Sequence, residues 1–297
     1  MLEIVQYPRR WFRATKRRMR TFTGEEFSPE QVGLHLLLGL GVFLIVFPIV
    51  VAAVVSTQPQ GIVTSLSDLL PGGHAAENYR TVMVEFGFGR FLWNSFLMSV
   101  IIVIGKLTLS LLAAMAVVYY RVPYKDLVFL FILFTLMLPV PVRFVPLFEL
   151  VNDLGWGNTL AAITIPYLAS ATTVFILRQH FLSISSSVVE NAKLDGVGPL
   201  KFLVYVLVPM SRGILVGVAI IMFIFAWNQF LWPLVIIDSE ANQVAQVGLS
   251  LLEGDVQSGD VAWALVMAGS MLTLLPPLVL LIVFRKPLLE TFTLQEK

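Results

Sequence analysis

The chain has 297 residues, 57% of them hydrophobic and 13% charged, and a mean hydropathy of +0.84; soluble domains carry about 25% charge, so this composition excludes a water-soluble globular protein and points to an integral membrane protein. The formal net charge of +1 says little about partners, because in a bilayer the placement of charge matters more than its sum. The absence of cysteine excludes disulfides, thiolate metal sites and a cysteine nucleophile.

Residues 1–32 form a basic arm with Arg9, Arg10, Arg13, Lys16, Arg17, Arg18 and Arg20, interleaved with Trp11 and Phe12. Such an arm reads first as a positive-inside topology signal. Its second reading is a segment lying on anionic membrane lipid, where each cation gains about 1 kcal/mol. A cleaved signal peptide fits less well, because the basic region is long and the following apolar run is of full spanning length.

A crossing takes about 20 apolar residues, and six segments qualify: 33–55, 91–119, 127–147, 160–177, 214–237 and 261–284. The cations gather in the arm, in the turn from Arg121 to Lys125, around Lys193 and Lys201 with Arg178 and Arg212 flanking, and in the tail at Arg285, Lys286 and Lys297. The alternate loops are poor in them: 56–90 holds Arg80 and Arg90, and 238–260 carries Asp238, Glu240, Glu253, Asp255 and Asp260 without a cation. The positive-inside rule therefore places both termini in the cytoplasm. Three units follow: the arm at 1–32, a six-helix membrane domain at 33–290, and a tail at 291–297. The first outer loop contains His74, but no neighbour offers a metal-ligand pair, so no metal site is expected.

Polar residues inside spans are the informative ones, since a charge at the centre of a helix costs on the order of 2.5–3.5 kcal/mol on insertion scales. Lys106 lies roughly 22 Å along the second span, somewhat inward of its middle. It reads as a contact for an anionic substrate, or as a lysine that snorkels inward or pairs with a carboxylate of a partner subunit. Arg143 lies in Leu138-Pro-Val-Pro-Val-Arg-Phe-Val-Pro146, where three prolines should kink or break the third span; broken helices at membrane depth face protein or a water-filled cavity. Its planar guanidinium suits phosphate. The two cations lie at different depths and read as successive stations.

Between the fourth and fifth spans lies a polar island, residues 183–209. Ser187-x-x-Glu190 has the spacing of a capping box, Asp195-Gly196 should close the helix, and Gly198-Pro199 should open a second one that Pro209 kinks or ends. Ala192, Val188, Val189 and Leu194 would then be available to another surface. In the fifth span, Trp227-Asn228-Gln229-Phe230-Leu231-Trp232-Pro233 puts an amide pair at mid-span beside aromatic faces suited to sugar rings. Interhelical hydrogen bonding is the plainer reading of buried amides.

The island resembles the EAA loop of ABC-importer membrane subunits: Glu190-Asn191-Ala192-Lys193-Leu194-Asp195-Gly196, nine residues, then Val206-Leu207-Val208-Pro209. Asn191 departs from the second family residue, and valines replace Ile and Leu. The fifth-span segment is similar to that of MalG-like permeases of carbohydrate importers, and its W-N-Q-x-L-W-P-L form to the UgpE-type sn-glycerol-3-phosphate permeases. The likeness continues through Asn94-Ser95-Phe96, Gly105-Lys106-Leu107-Thr108, Leu136 to Arg143, Ser170-Ala171-Thr172, Arg178-Gln179 and Leu274-Leu275-Pro276-Pro277.

That resemblance implies an all-α membrane fold, the six-helix transmembrane domain of a type I ABC importer in a bacterial inner membrane. It also implies a short helix along the outer face begun by Glu77-Asn78-Tyr79. The implied partners are a second, homologous permease, two copies of a MalK- or UgpC-like ATPase, and an extracytoplasmic binding protein; no nucleic acid is expected. The coupling residues would be Glu190, Asn191, Ala192, Leu194, Asp195, Gly196 and Pro209, and the substrate-path candidates Lys106, Arg143, Trp227, Asn228 and Gln229. ATP and magnesium would belong to the ATPase, because this chain has no G-x-x-x-x-G-K-[ST] loop. No nucleophile and base are arranged for catalysis. Two alternatives are an importer of an uncharged sugar and an ion-coupled secondary transporter; the latter needs inverted repeats and intramembrane carboxylates, which the spans do not show.

Overall fold

A computed structural model describes residues 19–20, 26–27, 29–60, 70–137, 139–253 and 262–285. Most of the basic arm and all of the tail at 291–297 therefore lie outside the described residues. Met19–Arg20 pairs with Glu26–Phe27 in a short antiparallel ladder; the other regular elements among the described residues are helical.

The chain opens with α1 (Pro29–Val55) and a short α2 (Ala75–Arg80), which runs through a π-helical turn (Thr81–Glu85) into α3 (Phe88–Tyr119). The third span is a pair, α4 (Lys125–Phe134) and α5 (Val140–Asp153); the fourth is α6 (Leu160–Thr164) and α7 (Ala171–Ser183). The island folds into α8 (Ser186–Leu194), α9 (Pro199–Phe202), a π-helical turn (Leu203–Leu207) and α10 (Val208–Met210). Then come α11 (Arg212–Trp227), α12 (Leu231–Ile236), α13 (Ala245–Leu252) and α14 (Trp263–Val283).

Three helices, α1, α3 and α14, are long and apolar enough to cross a membrane alone, and three bent pairs bring the total to as many as six. The count agrees with the expected six-span bundle, the third and fourth spans being bent pairs and the last pair joining the end of the island to α11. The chain turns by 102° between the α4 and α5 segments, by 40° between α6 and α7, and by 85° between α10 and α11. In the third span Pro139 stands before α5 as its N-cap and Pro141 lies in its first turn, where a missing N–H costs nothing.

The fifth span departs from the uninterrupted helix expected over 214–237. It stops at Trp227 and restarts at Leu231. Pro233 gives the reason: in a continuous helix its ring would meet the carbonyl of Gln229, four residues earlier. Asn228 and Gln229 consequently sit at a helix break.

The central strut is α3, which packs against α6, α7, α11 and α13. Its buried positions Phe88, Phe91, Ser95, Met98, Ile102, Lys106, Ser110 and Ala114 recur every three or four residues, the stripe that faces a helical core. Gly105 lies so close to Leu168, at the break of the fourth span, that an added Cβ would come within 2.4 Å of its side chain. By contrast α1 exposes apolar side chains all round and leans on α14, as a helix bathed in lipid or covered by another subunit does.

Side-chain amides and hydroxyls tie the end of the bundle opposite the island. Asn78, on the short helix expected at Glu77-Asn78-Tyr79, donates to the carbonyls of Ser56 (3.0 Å) and Gln58 (2.7 Å) just beyond α1. Asn94 donates to the carbonyls of Ala241 (3.0 Å) and Gln243 (2.9 Å), and Ser95 Oγ accepts from the Ala245 amide at 2.8 Å at the start of α13. Asn158, left-handed at φ +59°, accepts from the amide and hydroxyl of Ser239 through Oδ1 at 3.0 and 2.9 Å. All but the Ser239 hydroxyl bond satisfy a backbone group beside a helix end.

Candidate functional site

The island is built on its glycine. In α8 the last turn closes with Gly196 at φ +68°, its N–H donating to Lys193 O (3.1 Å) while Val197 N–H reaches Ala192 O (3.0 Å). These are the two bonds of a Schellman cap, which needs a left-handed residue at that position. The expected capping box at Ser187 and Glu190 does not form. Ser185 is the N-cap, without a side-chain cap bond, and its hydroxyl is 2.8 Å from that of Ser187.

The direction of α8 also corrects an expectation. Ala192 is not offered to a partner: it is 9% exposed and packs with Ala114, Met115, Phe181, Phe202 and Leu207, and Val189 lies against the same cluster. Ala192 and Val189 line a small cleft with Tyr119, Val197 and Phe202, which seats α8 over the end of α3 and the start of α9. Tyr119, at the end of α3, fixes the arrangement by donating to Phe181 O (2.7 Å) and meeting Phe202 edge-on at 5.5 Å. Outward instead are Glu190, Asn191, Lys193 and Asp195, with Leu194 84% exposed; Leu200, Val204 and Tyr205, later in the island, are exposed as well. Glu190 has no ion pair among the described residues. Pro209 lies in α10, directly before the bend at Ser211.

The second constellation lies on the seam between α3 and α11. Lys106 is 5% exposed, with its Nζ 3.9 Å from Met222 Sδ and 4.4 Å from the centre of the Phe225 ring. No carboxylate pairs with it among the described residues. Side chains on a helix tilt toward its N-terminus, so the ammonium reaches toward the last turns of α11, away from the island. It does not reach toward the island. A thioether and an aromatic face hold a cation weakly and leave most of its hydrogen-bonding capacity unused.

The remaining candidates separate. Trp227 is 1% exposed, lies parallel to Phe223 at 5.8 Å and donates its Nε1–H to Thr273 O at 3.1 Å. It locks α11 to α14 inside the subunit, which removes it from the substrate path. Asn228 closes α11 by donating to Ile224 O (2.9 Å) and accepts from Gln246 Nε2 (3.0 Å). Gln229 keeps a buried Nε2 without a partner among the described residues. Arg143 is exposed in the first turn of α5, while its neighbour Phe144 packs on Trp232. No bond joins it to Lys106, so the two cations remain separate positions.

Sequence reading placed Trp232 in its motif but missed that it is buried with its Nε1–H on Ala162 O at 3.0 Å. It also missed an aromatic series from the exposed Trp93 through Phe96 and Phe223 to Trp227, with ring centres 5.8, 6.4 and 5.8 Å apart. The visible signal was the density of aromatic residues on two spans; their pairing depends on tertiary packing.

Continuous and broken apolar spans, with a glycine-closed loop docked on the ends of two of them, define the transmembrane permease fold of an ABC importer. Residues 106–286 match the model of the binding-protein-dependent transport system inner membrane component. The chain belongs to that family and is a multi-pass inner-membrane protein. The sn-glycerol-3-phosphate transport system permease protein UgpE of Brucella melitensis biotype 1 is 36% identical over 272 residues, spanning 86% of this chain and 95% of that protein. The protein of the same name from Escherichia coli O157:H7 is 37% identical over 272 residues, spanning 89% and 96%. A crystal structure of a bacterial ABC transporter involved in the import of the acidic polysaccharide alginate contains a chain of the same fold, with a TM-score of 0.77 at 22% identity, covering 88% of this chain and 98% of that one.

Proposed function

We propose that this chain is one permease subunit of an ATP-driven importer of sn-glycerol-3-phosphate. The observation that carries the reading is identity of 36–37% over 272 residues to permeases named for that substrate. The chemistry agrees: Lys106 is a buried cation without a carboxylate among the described residues, a costly arrangement unless an anion visits it. An uncharged sugar would offer that residue hydroxyl acceptors but no counter-charge and is the less favoured cargo. Glycerophosphodiesters share the phosphate and fit the same contacts.

The complex would comprise a second homologous permease, two MalK- or UgpC-like ATPase subunits that hold ATP and magnesium, and an extracytoplasmic binding protein. Both termini and the island would face the cytoplasm. Glu190, Asn191, Leu194 and Asp195 would meet the ATPase, with Gly196 closing the helix that carries them and Ala192 seating it. Because the island packs on α3 and α7 through Ala192 and Tyr119, movement of the ATPase would reach the helix that carries Lys106. Arg143 and Gln229 would be further contacts along the path.

The expected result for the reconstituted complex with its binding protein is ATP hydrolysis stimulated by sn-glycerol-3-phosphate and not by maltose. Stimulation by maltose alone would overturn the substrate reading while leaving the family assignment intact.

A further inference from the structure

We propose that the turn joining α3 to α4 binds the headgroup of an anionic phospholipid. A cavity of about 500 Å³ opens there, lined by Tyr120, Arg121, Tyr124, Lys125, Asp126 and their neighbours. Arg121 and Lys125 have no ion pair among the described residues, so the lining presents two cations against the single carboxylate of Asp126. Beneath them α4, ten residues long, begins without a side-chain cap: its N-cap is Tyr124, held at φ +53°. The first amides of α4 therefore add their share of positive potential to that of the two cations.

Two features select a lipid over free phosphate. The turn joins two apolar spans, so it lies at the membrane boundary, where tyrosine phenols settle; Tyr120 and Tyr124 are both exposed. From the cavity runs an exposed stripe on α4, Leu127, Leu130, Phe131 and Phe134, spaced i, i+3, i+4 and i+7 along one face. The opposite face of α4 packs inward through Phe129, which meets Val117 and Val174 and lies under the Arg178 guanidinium. A headgroup phosphate in the cavity thus has acyl chains lying along the stripe. Basic pockets at the cytoplasmic ends of spans suit such headgroups, and the site is independent of the transported substrate.

The test is native mass spectrometry of the full complex taken from membranes of equal phosphatidylglycerol and phosphatidylcholine. The complex should retain phosphatidylglycerol preferentially, and Arg121→Gln and Lys125→Gln should each lower that preference about fivefold. Leu127→Ser with Phe131→Ser, which leaves every charge in place, should also lower retention. Millimolar inorganic phosphate should not displace the lipid. Unchanged retention in either set of variants, or release by inorganic phosphate, would overturn the proposal.

Discussion

Lys106→Gln is expected to lower uptake of sn-glycerol-3-phosphate by roughly ten- to a hundredfold, the scale of losing one charge-assisted hydrogen bond in a dry site. The reasoning rests on what surrounds the ammonium. Met222 and Phe225 offer a sulfur and a ring face, and neither replaces the hydration a buried cation gives up. A lysine kept there for packing alone would be improved by an uncharged side chain, because removing an unpaired buried charge stabilises a fold. The variant should therefore assemble and unfold at a temperature no lower than the parent while transporting poorly. Initial uptake rates against substrate concentration, in vesicles holding the whole complex, check this. Unchanged uptake would return Lys106 to a structural role.

Leu194→Asp should weaken attachment of the ATPase by about ten- to a hundredfold, the range set by burying one leucine, about 1.5–3 kcal/mol. Leu194 is 84% exposed on the helix that Gly196 closes, and Ala192 anchors the other face of that helix to α3 and α7. The variant changes the outer face alone, so the permease should keep its thermal stability while losing ATPase on co-purification. Normal co-purification with normal coupled uptake would place the ATPase contact elsewhere, with the exposed Leu200, Val204 and Tyr205 next in line.

The spans were legible because apolar length is a property of local sequence. Their breaks were legible only where proline is dense, as at Pro139 and Pro141. Pro233 acts on Gln229, and hydropathy over 214–237 gives no warning of that collision. In the island, Gly196 announced its left-handed cap. Ser185, Ser186 and Ser187 are all capable N-caps, so spacing to Glu190 could not select the start of α8. That Ala192 faces inward follows from how the whole loop docks, which no local pattern encodes. The same holds for the bonds of Asn94 to the loop before α13 and of Ser95 to Ala245, its first residue, which span 147 to 150 residues of chain. Lys106 was visible as a charge in a span, whereas its direction needed the polarity of α3.

The most direct measurement of the central claim is ATP-dependent uptake of labelled sn-glycerol-3-phosphate into proteoliposomes holding the full complex and its binding protein, with labelled maltose in parallel. The predicted result is accumulation of the phosphate ester with maltose excluded. Accumulation of maltose with the phosphate ester excluded would contradict it.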